Sequence, residues 1–96
     1  MAANPIGTAS VSWVDSSGNL SIHVYWTDGY TVSERMFSNN AWTTGGFSQP
    51  GEQVSATVWQ DSGGVHIRVY CTFEDALTEW CQDAGKPWYN GGFSTG

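Results

Sequence analysis

Basic residues are nearly missing from this chain: three Lys and Arg stand against nine Asp and Glu in 96 residues, a formal net charge of −6. A surface of that sign repels phosphate backbones, so nucleic acid is not an expected partner. Long apolar runs are missing too. Nothing approaches the roughly 20 residues of a membrane-spanning helix, and no membrane insertion is expected. No basic start followed by an apolar stretch marks a secretion signal, which leaves the compartment open, with secretion or action at a cell surface both compatible. Strong helix formers are scarce, and no long segment spaces its apolar residues by three and four. An all-β domain is what remains. Cysteine is limited to Cys71 and Cys81. Strand alternation puts Cys71 on the face opposite Arg68 and Cys81 on the face of Glu79, so they read as two small buried residues and not as a disulfide. No Cys/His spacing suits a metal and no Ser–His–Asp order stands out, so neither a metal, a cofactor nor a catalytic residue is expected.

What the chain has instead is aromatic residues: six Trp, four Tyr and four Phe, 15% of the sequence against 12% charged. In an ordinary globular chain about a quarter of residues are charged. Twelve Gly, with many Ser, Thr and Asn, add the marks of short strands joined by tight turns. The length is that of one small domain, and such a domain buries only roughly 60–65% of its unfolded surface.

The chain also repeats itself. The segment from Ser10 to Ser48 matches that from Ser55 to Ser94. Trp13 aligns with Trp59, Ile22 with Ile67, Val24-Tyr25 with Val69-Tyr70, and Glu34 with Glu79. Trp42 aligns with Trp88, and Gly45-Gly46-Phe47 with Gly91-Gly92-Phe93. The offset is 45 between the glutamates (79 − 34) and 46 between these tryptophans (88 − 42), with the extra residue in the loop from Ala84 to Pro87. The first copy predicts strands at Ala9–Val14, Leu20–Trp26, Val32–Phe37 and Ala41–Thr44, with Gln49–Gln53 joining the copies. A four-stranded unit of roughly 40–50 residues has the size of a propeller blade. Residues 1–96 thus read as one domain of two blade repeats, approximately 8–48 and 54–94. A small β-sandwich with chance similarity between its halves is the competing architecture. Two blades cannot close a ring, because propellers use about four to eight. The apolar faces left over predict self-association as a dimer, trimer or tetramer.

Arg68 stands mid-strand in Val65-His66-Ile67-Arg68-Val69-Tyr70, where a guanidinium needs a partner. Glu79, in Leu77-Thr78-Glu79-Trp80-Cys81, is the expected one, since hairpin pairing can bring both to one face. Such a pair offers fixed donors and acceptors for vicinal hydroxyls. Aromatic rings supply the complement, because a sugar's C–H face stacks on them. Trp42 and Trp88 sit beside turns and Gly pairs and read as ligand-stacking residues. Trp13 and Trp59, mid-strand, read as packing between blades.

The run His66-Ile67-Arg68-Val69-Tyr70, then Thr78-Glu79-Trp80-Cys81, then Trp88 and Gly91-Gly92-Phe93, resembles the six-bladed fucose-binding lectins, the Aleuria-type family and its short bacterial two-repeat members. The resemblance covers the chain from about Ser10. It implies a six-bladed β-propeller completed by homotrimerisation, with specificity for L-fucose and fucosylated glycans, no catalysis and no metal. It also implies a pocket between adjacent blades, one blade giving Arg and Glu and the next giving aromatic residues. Carried over by position, a pocket between chains combines Arg68, Glu79 and the Gly92 backbone with Phe37 and Trp42 of a neighbour. A pocket within the chain combines His23, Glu34 and the Gly46 backbone with Gln82 and Trp88. There His23 replaces Arg and Gln82 replaces an aromatic residue, so the second pocket is expected to be the weaker one.

Two other functions fit the residues less well. A glycosidase needs two carboxylates flanking one bond. Glu34 and Glu79 are repeat equivalents belonging to separate pockets, and Asp61, Glu74, Asp75 and Asp83 fall in turn-like stretches that explain them locally. A structural or protein-binding propeller with partly decayed sugar pockets is the alternative that His23 and Gln82 keep open.

Overall fold

The computed structural model describes residues 4–95, which form eight β-strands and no helix. They are β1 (Gly7–Val14), β2 (Leu20–Thr27), β3 (Thr31–Ser38), β4 (Ala41–Pro50), β5 (Gln53–Asp61), β6 (Gly64–Phe73), β7 (Ala76–Asp83) and β8 (Tyr89–Asn90). Consecutive strands pair antiparallel into two sheets, β1-β2-β3-β4 and β5-β6-β7-β8. The architecture is propeller-like, each sheet being a four-stranded meander.

Local chemistry sets the turns. Asn39 and Asn40 take φ of 50° and 64°, and Glu74 and Asp75 take 49° and 66°. Two consecutive left-handed residues make the turn whose twist suits a two-residue hairpin, and after glycine Asn tolerates that region best. In the longer turns a side chain organises the backbone: Asp15 Oδ1 accepts from the Ser17 and Asn19 N–H groups, and Asp28 Oδ1 from Tyr30 and Thr31.

The fourth strand runs further than its sequence predicts. Gly45-Gly46 resembles a strand end, yet β4 continues to Pro50. Ser33 pairs with Ser48 and Arg35 with Thr44, so three residues of β4 bulge opposite Glu34 alone. The expected connector, Gln49–Gln53, therefore shrinks to Gly51-Glu52. Gly51 is buried, its N–H donates to Tyr30 O at 2.9 Å, and its carbonyl accepts from the Thr27 hydroxyl.

Alternation along the strands gives each sheet two faces. One face of the first sheet contributes Val11, Tyr25, Val32 and Phe47 to the core, and one face of the second contributes Ile67, Val69 and Cys71. Trp13, Val54, Ala56, Val58, Trp80 and Trp88 pack around them. The core thus lies between the two inner faces. Cys71 and Cys81 are free and buried, and burial pushes the Cys71 thiol up to about 11.

The other two faces are uncovered. Of the eight large apolar side chains that remain exposed among the described residues, six stand on these outer faces: Val14, Leu20 and Trp42 on the first sheet, Trp59, Tyr89 and Phe93 on the second. The accessible surface is 5942 Å² for 10.4 kDa, against about 5400 Å² for an ordinary monomer of that mass. The Cα extents, 41 × 37 × 17 Å, describe a slab. This chain has more apolar face than it can cover.

Gly51 tests how tightly the two sheets meet. A Cβ there would lie 2.5 Å from Val32 Cγ2 and 3.2 Å from Cys71 Cβ. Gly51→Ala is expected to lower unfolding stability by about 1–3 kcal/mol through overpacking, read as a lower denaturation midpoint by tryptophan fluorescence. An unchanged midpoint would show that the connector yields freely.

Candidate functional site

Each sheet builds one fixed carboxylate, held by a backbone N–H from the Gly-Gly-Phe segment, which is the bulge of β4 in the first sheet and the stretch after β8 in the second. In the first sheet Glu34 points under Gly45, so closely that a Cβ on Gly45 would fall 2.0 Å from its Oε1. The Phe47 N–H donates to Oε1 at 3.2 Å. Oε2 lies 3.1 Å from His23 Nδ1, and that nitrogen is 3.3 Å from the Tyr25 hydroxyl. Glu34 is 3% exposed. Burial disfavours its charge, but the His23, Tyr25 and Phe47 hydrogen bonds outweigh burial and hold it below the ordinary carboxylate value. Tyr25, buried beside this anion, is pushed far above the ordinary phenol value by burial and by Glu34.

The second sheet repeats this device around Glu79. Phe93 N–H donates to its Oε1 at 3.0 Å and the Tyr70 hydroxyl to its Oε2 at 2.8 Å. A Cβ on Gly91 would lie 2.2 Å from that Oε1. The Tyr70 hydroxyl is raised above its ordinary value, first by the bond to Glu79 and then by burial.

Arg68 does not pair with Glu79. The register sets Tyr70 opposite Glu79, Cys81 opposite Arg68 and Asp83 opposite His66, which leaves the guanidinium a diagonal choice. Glu79 is already engaged by Tyr70 and Phe93, and Arg68 Nη1 donates instead to Asp83 Oδ1 at 2.8 Å and to Ile67 O at 3.0 Å. Asp83 is the last residue of β7 and more than a turn former. His66 Nδ1 reaches the same Oδ1 at 2.7 Å, and the Tyr89 hydroxyl donates to Oδ2. Those bonds, Tyr89 first, then His66 and Arg68, hold the Asp83 carboxyl well below the usual carboxylate range. Asp61 caps its turn through Gly63 N–H as expected, and its Oδ1 also lies 2.9 Å from His66 Nε2.

Trp59 completes this cluster. Its ring stacks on His66 at 5.1 Å and 17°, and the Arg68 guanidinium carbon lies 4.8 Å over it. It is 43% exposed on the outer face and is not packed between the two sheets of the chain. Trp13, at the corresponding place in β1, does pack on the core and tilts against His23 at 4.9 Å.

The residues expected to form a pocket within the chain fall on facing surfaces. His23 and Glu34 stand on the inner face of the first sheet, and Trp88 meets that sheet edge-on, 4.7 Å from Phe47 and 6.2 Å from Tyr25. Gln82 shares the inner face of the second sheet with Ile67, its cross-strand neighbour. Gly46 carries no side chain and nothing lies within 4 Å of where one would be. The second group is split. Arg68 and Glu79 belong to the outer side of the second sheet, with Gly92 next to Phe93, which meets Tyr70 and Glu79 there, whereas Phe37 and Trp42, in contact at 5.3 Å, belong to the outer face of the first. One chain cannot bring these two halves together. The outer face of the first sheet also carries a shallow, open depression lined by Pro5, Thr8, Val24 and Trp26 and another beside Phe37.

Two meander sheets, each carrying a pinned glutamate flanked by aromatic rings, define a propeller-like all-β protein with repeated polar sites. Residues 6–96 match the family model described as fungal fucose-specific lectin, and the chain belongs to that family. A search of curated proteins finds no match.

Two neighbouring glycines separate the roles in this device. Gly91→Ala displaces the Glu79 carboxylate, so the Tyr70 hydroxyl is expected to titrate closer to the ordinary phenol value of about 10, read by NMR of labelled tyrosine. Gly92→Ala meets nothing within 4 Å and is expected to leave Tyr70 as it is. Equal titration in both variants would contradict the packing around Glu79.

Proposed function

We propose that this protein is a lectin that binds L-fucose and fucosylated glycans, in pockets between adjacent blades, and that it has no catalytic activity. The observation that carries the reading, beside the family, is the division of one polar–aromatic set between two uncovered faces. Arg68 and Glu79 wait on the outer face of the second sheet, and Phe37 and Trp42 on that of the first. Docking the second sheet of one copy on the first sheet of the next joins them. The inner faces supply the template for that contact. Phe47 and Tyr25 are buried against the second sheet, and their counterparts Phe93 and Tyr70 stand ready for a neighbour. A head-to-tail contact of this kind closes into a ring or runs on as a filament. Residues 1–96 are read as one domain of two blade repeats, approximately 8–48 and 54–94, and three chains as a closed six-bladed ring.

In such a pocket the charged pair reads hydroxyls and the ring oxygen, while the aromatic wall takes the C–H face and methyl group. The two kinds of pocket differ in strength. Arg68 offers a planar fork, whose Nη1 is engaged by Asp83 and Ile67. His23 is shorter and spends Nδ1 on Glu34. Losing one aromatic contact, as Gln82 does, removes on the order of 1 kcal/mol. Glycoside hydrolysis does not fit: Glu34 and Glu79 point from different faces of different sheets, so they do not flank one bond.

Calorimetric titration with L-fucose tests this reading. One tight site per chain is expected, with Arg68→Ala abolishing it and leaving assembly intact. Two tight, equal sites per chain would contradict the asymmetry. No binding to fucose would favour the alternative, a structural or protein-interaction propeller whose pockets have decayed.

A further inference from the structure

The two sheets allow a comparison inside one chain. Aligning the pinned glutamates and the strands beside them sets Arg68 against His23, His66 against Ser21, Asp83 against Ser38 and Tyr89 against Thr43. The parts that hold the carboxylate are common to both sheets: Tyr25 and Tyr70, Glu34 and Glu79, Phe47 and Phe93. What differs is the set converging on the guanidinium. Where the arginine is missing, the acid that binds it is missing too, and so are the imidazole and the phenol that bind the acid.

We propose that Asp83 is the positioning residue of the Arg68 pocket, and that His66, as an imidazolium bonded at both nitrogens, clamps Asp83 and makes sugar affinity there fall as pH rises. This inference rests on the sugar-binding reading of that pocket.

The geometry fixes the charge of the clamp. His66 Nδ1 lies 2.7 Å from Asp83 Oδ1 and Nε2 lies 2.9 Å from Asp61 Oδ1. Carboxylates only accept, so both ring nitrogens must carry a proton, which is the cationic form. Accordingly the imidazole pKa is raised, first by Asp83 and then by Asp61. The titratable groups around it are Asp61 from β5, Asp83 and Cys81 from β7, Tyr89 from β8 and Arg68 on its own strand. Burial raises the Cys81 thiol, and the bond to Asp83 raises the Tyr89 hydroxyl, so both stay neutral while His66 titrates. In the charged state His66 and Arg68 balance Asp61 and Asp83.

Once the proton leaves, a neutral ring can serve only one carboxylate, and the other faces a lone pair. Asp83 then shares fewer donors and Arg68 sits in an excess of negative charge. The clamp matters because, among the described residues, Arg68 is otherwise held only by Ile67 O and by the Trp59 and Tyr89 rings, at 4.8 and 6.0 Å. Fixing Nη1 on Asp83 aims the rest of the guanidinium before a ligand arrives, so binding costs less ordering.

The test is fucose titration of the assembled protein in steps from about pH 5.5, below the ordinary imidazole value of about 6.5, up to about pH 8.5. The wild type is expected to bind more weakly at the higher pH. Asp83→Asn is expected to weaken binding about tenfold or more, as for other lost charge-assisted hydrogen bonds. Arg68→Ala with Asp83→Asn should behave as Arg68→Ala alone. His66→Phe keeps a ring over Trp59 without donors, and should bind with one affinity at both pH values, near that of the wild type at high pH. Should Asp83→Asn fail to assemble, His66→Phe decides the matter alone. Equal wild-type affinity at both pH values, or a pH dependence that persists in His66→Phe, would overturn the proposal. Absence of fucose binding by the wild type at either pH would instead overturn the sugar reading beneath it.

Discussion

A four-stranded sheet with apolar residues on both faces has two surfaces to remove from water, and two such sheets in contact cover only two of their four. That shortfall governs the rest of the molecule. Between the inner faces, Tyr25, Val32 and Val69 reach 0% exposure. On the outer faces, Trp42, Trp59, Tyr89 and Phe93 remain 43–47% exposed, although their ring sizes would make them core residues elsewhere. Exposed apolar area of this kind marks an interaction surface. The shortfall and the proposed function are linked, because Arg68 and Glu79 lie on a face that still needs cover.

The second constraint is local. A glutamate held in a half-buried sheet needs fixed donors, and each Gly-Gly-Phe segment provides one through its phenylalanine N–H while the neighbouring strand provides the rest. Gly45 and Gly91 are glycine because the carboxylate occupies the space where a side chain would begin, 2.0 and 2.2 Å from Oε1. Gly46 and Gly92, next in sequence, have open space around them. Identical dipeptides therefore contain one residue dictated by packing and one with open space beside its backbone. Both carboxylates are arranged before anything binds, which is the condition for selective hydrogen bonding at low entropic cost.

Much of this was readable in the residues. The strand positions, the two-fold recurrence of Glu, Trp and Gly-Gly-Phe, and the buried free cysteines all follow from alternation and spacing. Gly45-Gly46 misled because a bulge and a strand end use the same residue. The partner of Arg68 misled for a related reason. Asp83-Ala84-Gly85 has the composition of a turn, and Ala84 and Gly85 do adopt φ of 51° and 72°. The acid at the start of a turn is also the last residue of a strand, and the direction in which an arginine leans along its strand is not encoded in spacing. Two signals could have pointed to Asp83: His66 lies two residues from Arg68 on the same face, and Asp83 is its cross-strand partner. Trp59 was readable as aromatic and mid-strand, but not as the outer-face ring beneath a guanidinium.

Native mass spectrometry of the full chain asks the most direct question about the uncovered faces. A species of three times 10.4 kDa, about 31 kDa, is predicted, with no stable monomer at micromolar concentration. A monomer of 10.4 kDa that still binds fucose through Arg68 would contradict the central claim that the better pocket is completed by a neighbouring copy.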